Sequence, residues 1–187
     1  MTTKVGRPLR ADAERTVRAI LEAAERVLAQ DPAASMERIA EEAGVNRTTI
    51  HRRFASREAL LEAMTLAALG QVREAIEAGR PETAPPEVAL HQITANVLAV
   101  KLGWRFALTR PAPEGSPAAR AQEEIVHRCD TLLAKVQRAG LIRPDVDVTW
   151  ARQVYYALLY QALESAEPAD LDARAALVVR TLLHGIG

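Results

Sequence analysis

Apolar side chains recur every three or four residues along most of the chain, and that spacing predicts helix after helix. Val17, Ile20, Leu21, Ala24, Val27 and Leu28 form one stripe on a helix from Asp12 to Gln30. Asp31-Pro32 ends it, because proline has no N–H to continue the ladder. Ser35 is a favourable N-cap for a short helix carrying Met36, Ile39, Ala40 and Ala43, and Gly44 supplies a turn. Asn46 caps a third helix, Arg47 to Phe54, and Ser56 a fourth, Arg57 to about Ala78.

Residues 79–87, GRPETAPPE, break the pattern. Further helices are expected from about Val88 to Leu108, from Ala118 to Ala139, from Val148 to Ser165 and from Leu171 to His184. No alternating run bounded by turn dipeptides occurs, so no strand is expected. The fold class is all-α: a unit of three short-looped helices, then a longer helical part. The expected division is 1–56 and 57–187, the second part opening with the helix 57–78.

Composition agrees with this and adds little. Hydrophobic residues make up 49% and aromatics 4% of the 187 residues, a mixture that favours helix. The single cysteine, Cys129, excludes an intrachain disulfide and suits a reducing cytoplasm. The opening MTTKVGRPLRADAER lacks the apolar core of a signal peptide, and no apolar run is long enough for a membrane span.

Charge changes the picture more. The net charge is zero, yet residues 1–10 hold Lys4, Arg7 and Arg10 with no acid, and residues 46–57 hold Arg47, Arg52, Arg53 and Arg57 with no acid. Two basic segments therefore sit on an acidic remainder. Two short helices around a glycine turn have the geometry that places the second helix in a DNA major groove. Small Ala40 suits the close approach, and Val45, Ile50 and Phe54 point inward.

That leaves Asn46, Arg47, Thr48, Thr49, His51, Arg52 and Arg53 for the outer face. Arginine grips guanine edges or phosphates, and threonine meets a thymine methyl or a phosphate oxygen. Arg47, Thr48 and Thr49, early in the helix, are placed to read bases. His51, Arg52 and Arg57 are expected on phosphates. Lys4, Arg7 and Arg10 form an arm that follows the backbone or enters a minor groove. A solvated charged face explains Arg52 and Arg53 alone equally well. It does not explain the glycine turn, the inward positions and the acid-free flanks falling together in register.

The Asp12–Gln30 helix followed by ERIAEEAGVNRTTIHRRFASREALL resembles the TetR family of bacterial transcriptional regulators. The resemblance is specific over residues 12 to about 64 and only architectural beyond. This chain has His51 where that family often has tyrosine, Arg57 where it often has lysine, and DPAA where the first helix commonly ends in a glycine turn. The resemblance implies a homodimer on a near-palindromic DNA operator, built mainly on the last two helices, with a small-molecule effector site in the C-terminal part and repression relieved by ligand.

Val154, Ala157, Leu158, Gln161, Val178, Thr181 and Leu182 are the expected dimer residues. Trp104, Phe106, Cys129, Trp150, Tyr155 and Tyr156 are the expected effector-pocket residues. For each of these aromatics singly, ordinary core packing is the commoner use. The alternative is a ligand-independent DNA-binding protein whose C-terminal part only dimerises or binds a protein partner. No nucleophile, phosphate-loop, dinucleotide or metalloprotease motif occurs, so no enzyme, metal or cofactor is expected beyond the effector.

Overall fold

The computed structural model describes residues 6–164 and 170–186, with side chains described for 11–164 and 170–185. Among the described residues there are nine α-helices and no strand. The chain divides into two compact units, one of residues up to Ala67 plus Arg105–Pro111, the other of Ala68–Trp104 plus the chain from Ala112 onward. The boundary expected at 56/57 therefore falls inside a helix instead.

The first unit is built on α1 (Gly6–Gln30), α2 (Met36–Glu42), α3 (Arg47–Arg53) and the first half of α4 (Arg57–Ala78). Helix α1 starts at Gly6 rather than Asp12, so Arg7 and Arg10 lie in its first turns and not in an extended arm. Its buried stripe is Ile20, Leu21, Ala23, Ala24 and Leu28, while Val17 and Val27 are only half-buried. Ile39, Ile50, Phe54, Leu60 and Met64 of the same unit are buried as well. Each such side chain contributes about 1.5–3 kcal/mol through apolar surface removed from water.

Local chemistry sets the turns. The Asp31 carboxylate accepts the Ala33 N–H at 2.9 Å just past α1. The Ser35 hydroxyl accepts the Arg38 N–H at 3.2 Å, and Ser56 accepts that of Ala59 at 3.2 Å. The Asn46 carboxamide oxygen accepts the Thr49 N–H at 2.7 Å. Gly44 adopts φ 67°, the left-handed conformation that ends α2 and that side chains resist.

The expected helix from Val88 to Leu108 is two. Helix α5 (Pro86–Gly103) stops at Trp104, whose φ of −132° and ψ of 42° leave the helical region. The next five residues, α6 (Arg105–Thr109), pack on α1 in the first unit. Their first N–H groups need an acceptor, and Glu25 of α1 provides both of its oxygens. Phe106 N–H donates to Oε1 at 2.5 Å and Ala107 N–H to Oε2 at 3.0 Å. Glu25 is buried, and that burial pushes its pKa up against the lowering effect of the two bonds.

The second unit holds the second half of α4, then α5, α7 (Pro117–Arg138), α8 (Val148–Glu164) and α9 (Leu171–Ile186). Helix α5 is central and packs on α7, α8 and α9. Its Leu90, Ile93, Val97 and Leu98 are buried together with Leu132, Leu133, Val136, Leu159, Val178, Val179 and Leu182. Gly79, just past α4, lies so close to α5 that a Cβ there would come within 2.3 Å of Ile93 Cγ1. Lys135 of α7 fixes the α4–α5 loop by donating to the carbonyls of Pro81 at 2.6 Å, Glu82 at 3.2 Å and Ala84 at 3.3 Å.

Candidate nucleic-acid interface

Helix α3 buries Ile50 completely, and Phe54 at its C-cap is buried too. Fixing that inner side turns Arg47, Thr48, His51, Arg52 and Arg53 out to solvent and leaves Thr49 half-buried. Asn46 is exposed, but its carboxamide oxygen is already occupied by the cap bond. His51, Arg52 and Arg53 also lie in the last turn of α3, where cations suit the negative end of the helix dipole. Arg52 and Arg53 pair with no acid among the described residues, which leaves them open to phosphates.

Arg47 is different. Its Nε lies 3.1 Å from Oε1 of Glu37 on α2, and the same oxygen lies 3.7 Å from His51 Nε2. The Glu37 backbone N–H beside its own carboxylate, with Arg47, Ser35 and His51, holds that carboxyl below the usual range.

Arg57 does not belong to the outer face. Its guanidinium donates to the carbonyl of Pro32 at 2.7 Å and to that of Ala34. It braces the turn between α1 and α2 and is only half exposed. Sequence reading missed this because the partners are 23 and 25 residues away and are backbone atoms. Lys4 and the side chains of Arg7 and Arg10 lie outside the described residues.

Three of the expected effector residues come together: the Tyr155 and Tyr156 rings lie 6.2 Å apart, and the Cys129 and Tyr156 side chains are hydrogen-bonded. Phe106 belongs to the first unit, and Trp150 is 57% exposed. Trp104, Cys129 and Tyr155 are buried in the second unit, and Tyr156 is half-buried. The Tyr155 hydroxyl meets that of Thr94 at 2.9 Å, and Thr94 donates to the Leu90 carbonyl at 2.6 Å. Tyr155 is therefore a satisfied core residue. Arg152 lies 5.8 Å from the centre of the Tyr156 ring, with its Nε donating to Asp130 at 2.7 Å. A separate open depression of about 400 Å³ runs along one face of α7, lined by Ala119, Gln122, Glu123, Val126, His127 and Asp130.

Burial pushes the Cys129 thiol up to about 12, far above the range in which thiolates form near neutrality. At pH 8 the native protein is expected to leave a disulfide reagent unreacted, and in urea to release one equivalent. Stoichiometric reaction of the folded protein would refute this burial argument.

Of the expected dimer residues, Val178 and Leu182 sit in the core of their own unit and are not free for a partner. Val154 and Leu158 are half-buried, while Ala157, Gln161 and Thr181 are exposed. On these two helices the large exposed apolar side chains are Trp150 and Tyr160 of α8 and Leu177 of α9, at 57%, 60% and 54%. On α9 the outward stripe is thus 173, 177 and 181, which takes in the expected Thr181 but not Val178 or Leu182.

Residues 20–64 match the family model of bacterial regulatory proteins of the tetR family. The chain is similar to the HTH-type transcriptional repressor LfrR of Mycolicibacterium smegmatis, with 34% identity over 154 residues, 82% of this chain and 80% of that protein. The structure of LfrR in complex with proflavine aligns with TM-score 0.72 and 29% identity over 92% of this chain and 98% of that one. The fold is also that of the TetR family regulator PfmR from Thermus thermophilus, at TM-score 0.74 and 20% identity over 90% and 98% of the two chains.

Proposed function

Because the chain belongs to the TetR family of bacterial transcriptional regulators, we propose that this DNA-binding regulator is a cytoplasmic homodimeric repressor, released from a near-palindromic operator by a small-molecule effector. The observation that carries the DNA half is the outer face of α3, where Arg47, Thr48, His51, Arg52 and Arg53 are exposed over a buried Ile50. A face of that kind fits the major groove, with the early positions on bases and the late ones on phosphates.

Dimerisation is supported by the unpartnered apolar side chains of α8 and α9. Trp150, Tyr160 and Leu177, with Ala157 and Thr181 between them, suit a two-fold, self-complementary four-helix interface. Two copies then present two α3 helices to half-sites about one helical turn apart.

Effector release is supported by the relative solved with proflavine. The effector must bind the off-DNA form more tightly, since only differential affinity shifts an equilibrium. Helix α4 and the segment Arg105–Pro111 are the stretches of chain that continue from one unit into the other and so carry the shift. The packed surroundings of Tyr155 and Cys129 favour a second reading, in which the C-terminal unit only dimerises or recruits a protein. No catalytic turnover belongs to either reading.

Selection of bound DNA from a random pool, followed by titration of the complex with proflavine, tests both halves. A recovered palindrome whose complex dissociates with proflavine supports the proposal. Recovery without any symmetry overturns the dimeric operator. A palindrome unaffected by proflavine, and by a wider panel of small molecules, favours the second reading.

A further inference from the structure

Among the described residues, the one acidic side chain paired with α3 is Glu37, and its place there is costly for a DNA-binding face. A carboxylate beside the phosphates repels them. The pair it makes is exposed, with Arg47 at 75% and Glu37 at 43%, and exposed ion pairs add little to stability. Holding α2 to α3 is therefore a poor account of it, since Ile39, Ala40 and Ile50 are buried there already.

The atoms involved suggest another. Glu37 Oε1 lies 3.1 Å from Arg47 Nε, on the stem side of the guanidinium. A carboxylate on that side can hold the stem while Nη1 and Nη2, the fork that matches guanine O6 and N7, turn to a base. The same oxygen also faces His51, one turn further along α3, so the carboxylate lies along the stripe these two residues share.

We propose that Glu37 is a positioning residue for base reading: it holds the Arg47 stem through Nε, aims the fork at base edges, and gives up overall DNA affinity for sequence discrimination. This rests on α3 being the helix that reads bases. An arginine held in place loses less freedom on forming a bidentate contact, and the penalty of the nearby negative charge falls on all sequences alike.

The experiment measures dissociation constants for the selected operator and for a scrambled duplex across a salt series. Glu37→Gln should strengthen binding to scrambled DNA and lower the operator-to-scrambled ratio by about threefold to fivefold, the size of an exposed pair. Glu41→Gln removes the same charge from α2, but its partner is Arg38, so the ratio should hold. Glu37→Asp should recover part of the loss. In an Arg47→Ala background, Glu37→Gln should leave the ratio unchanged, because the residue it acts through is gone.

A ratio unchanged in Glu37→Gln while Arg47→Ala lowers it overturns the positioning role alone. A ratio unchanged in Arg47→Ala overturns the base-reading role of Arg47 and this proposal with it.

Discussion

Glu25→Ala is expected to destabilise the protein by about 2–5 kcal/mol, read as a fall in the urea midpoint and as fast amide exchange at Phe106 and Ala107. Two N–H groups of α6 lose a charged acceptor held at 2.5 and 3.0 Å, with Ala107 itself buried. Bonds to charged groups contribute about 1.5–3 kcal/mol each, and a stranded buried donor keeps its full desolvation penalty. Glu25→Gln should cost less, because its single carbonyl oxygen still serves one of the two donors.

The same site predicts a pH dependence. Burial raises the folded-state pKa of Glu25 above its unfolded value, so the folded protein holds the proton more tightly. Its contribution is then fully present below the unfolded carboxylate value and is lost as pH rises through the folded one. The stability of the wild type minus that of Glu25→Gln should fall over that interval and be flat above it. An alanine variant within about 0.5 kcal/mol of wild type would remove the capping role, since that is the scatter of ordinary surface changes.

Glu25 also marks where sequence reading stops. The caps at Ser35, Asn46 and Ser56 and the turn at Gly44 were legible because each works within a few residues of itself. Ile50 and Phe54 were legible as inward positions because a seven-residue helix has only one side to bury. Glu25 caps a helix 81 residues away, and Arg57 braces carbonyls 25 and 23 residues back. In the sequence both are charged side chains on helices, a pattern that ordinarily means a solvated face. The break at Trp104 was hidden because Val88 to Leu108 keeps its helical spacing across it. On α9 apolar side chains stand on more than one side of the helix, so periodicity left open which side faces inward, and of the expected Val178, Thr181 and Leu182 only Thr181 is exposed.

The outer face of α3 yields the other large effect, on binding and not on folding. Arg47 is the first residue of α3 and Arg52 the sixth, about one and a half turns later. A recognition helix enters the groove with its N-terminal residues, so the proposed function expects Arg47 at base edges and Arg52 at the flanking backbone. Arg47→Ala should then lower discrimination between operator and scrambled DNA by about 1–3 kcal/mol, roughly fivefold to 150-fold, the range of one bidentate base contact. Arg52→Ala should weaken binding to both duplexes alike and reduce the slope of log affinity against log salt by about one, since one phosphate contact releases about one counterion. Both side chains are exposed, so neither change should move the melting temperature beyond the small scatter of surface substitutions. Equal losses of discrimination and equal salt slopes in the two variants would mean that both arginines grip phosphates. Base reading would then fall to Thr48 and Thr49, whose hydroxyls and methyl groups discriminate through thymine and not guanine.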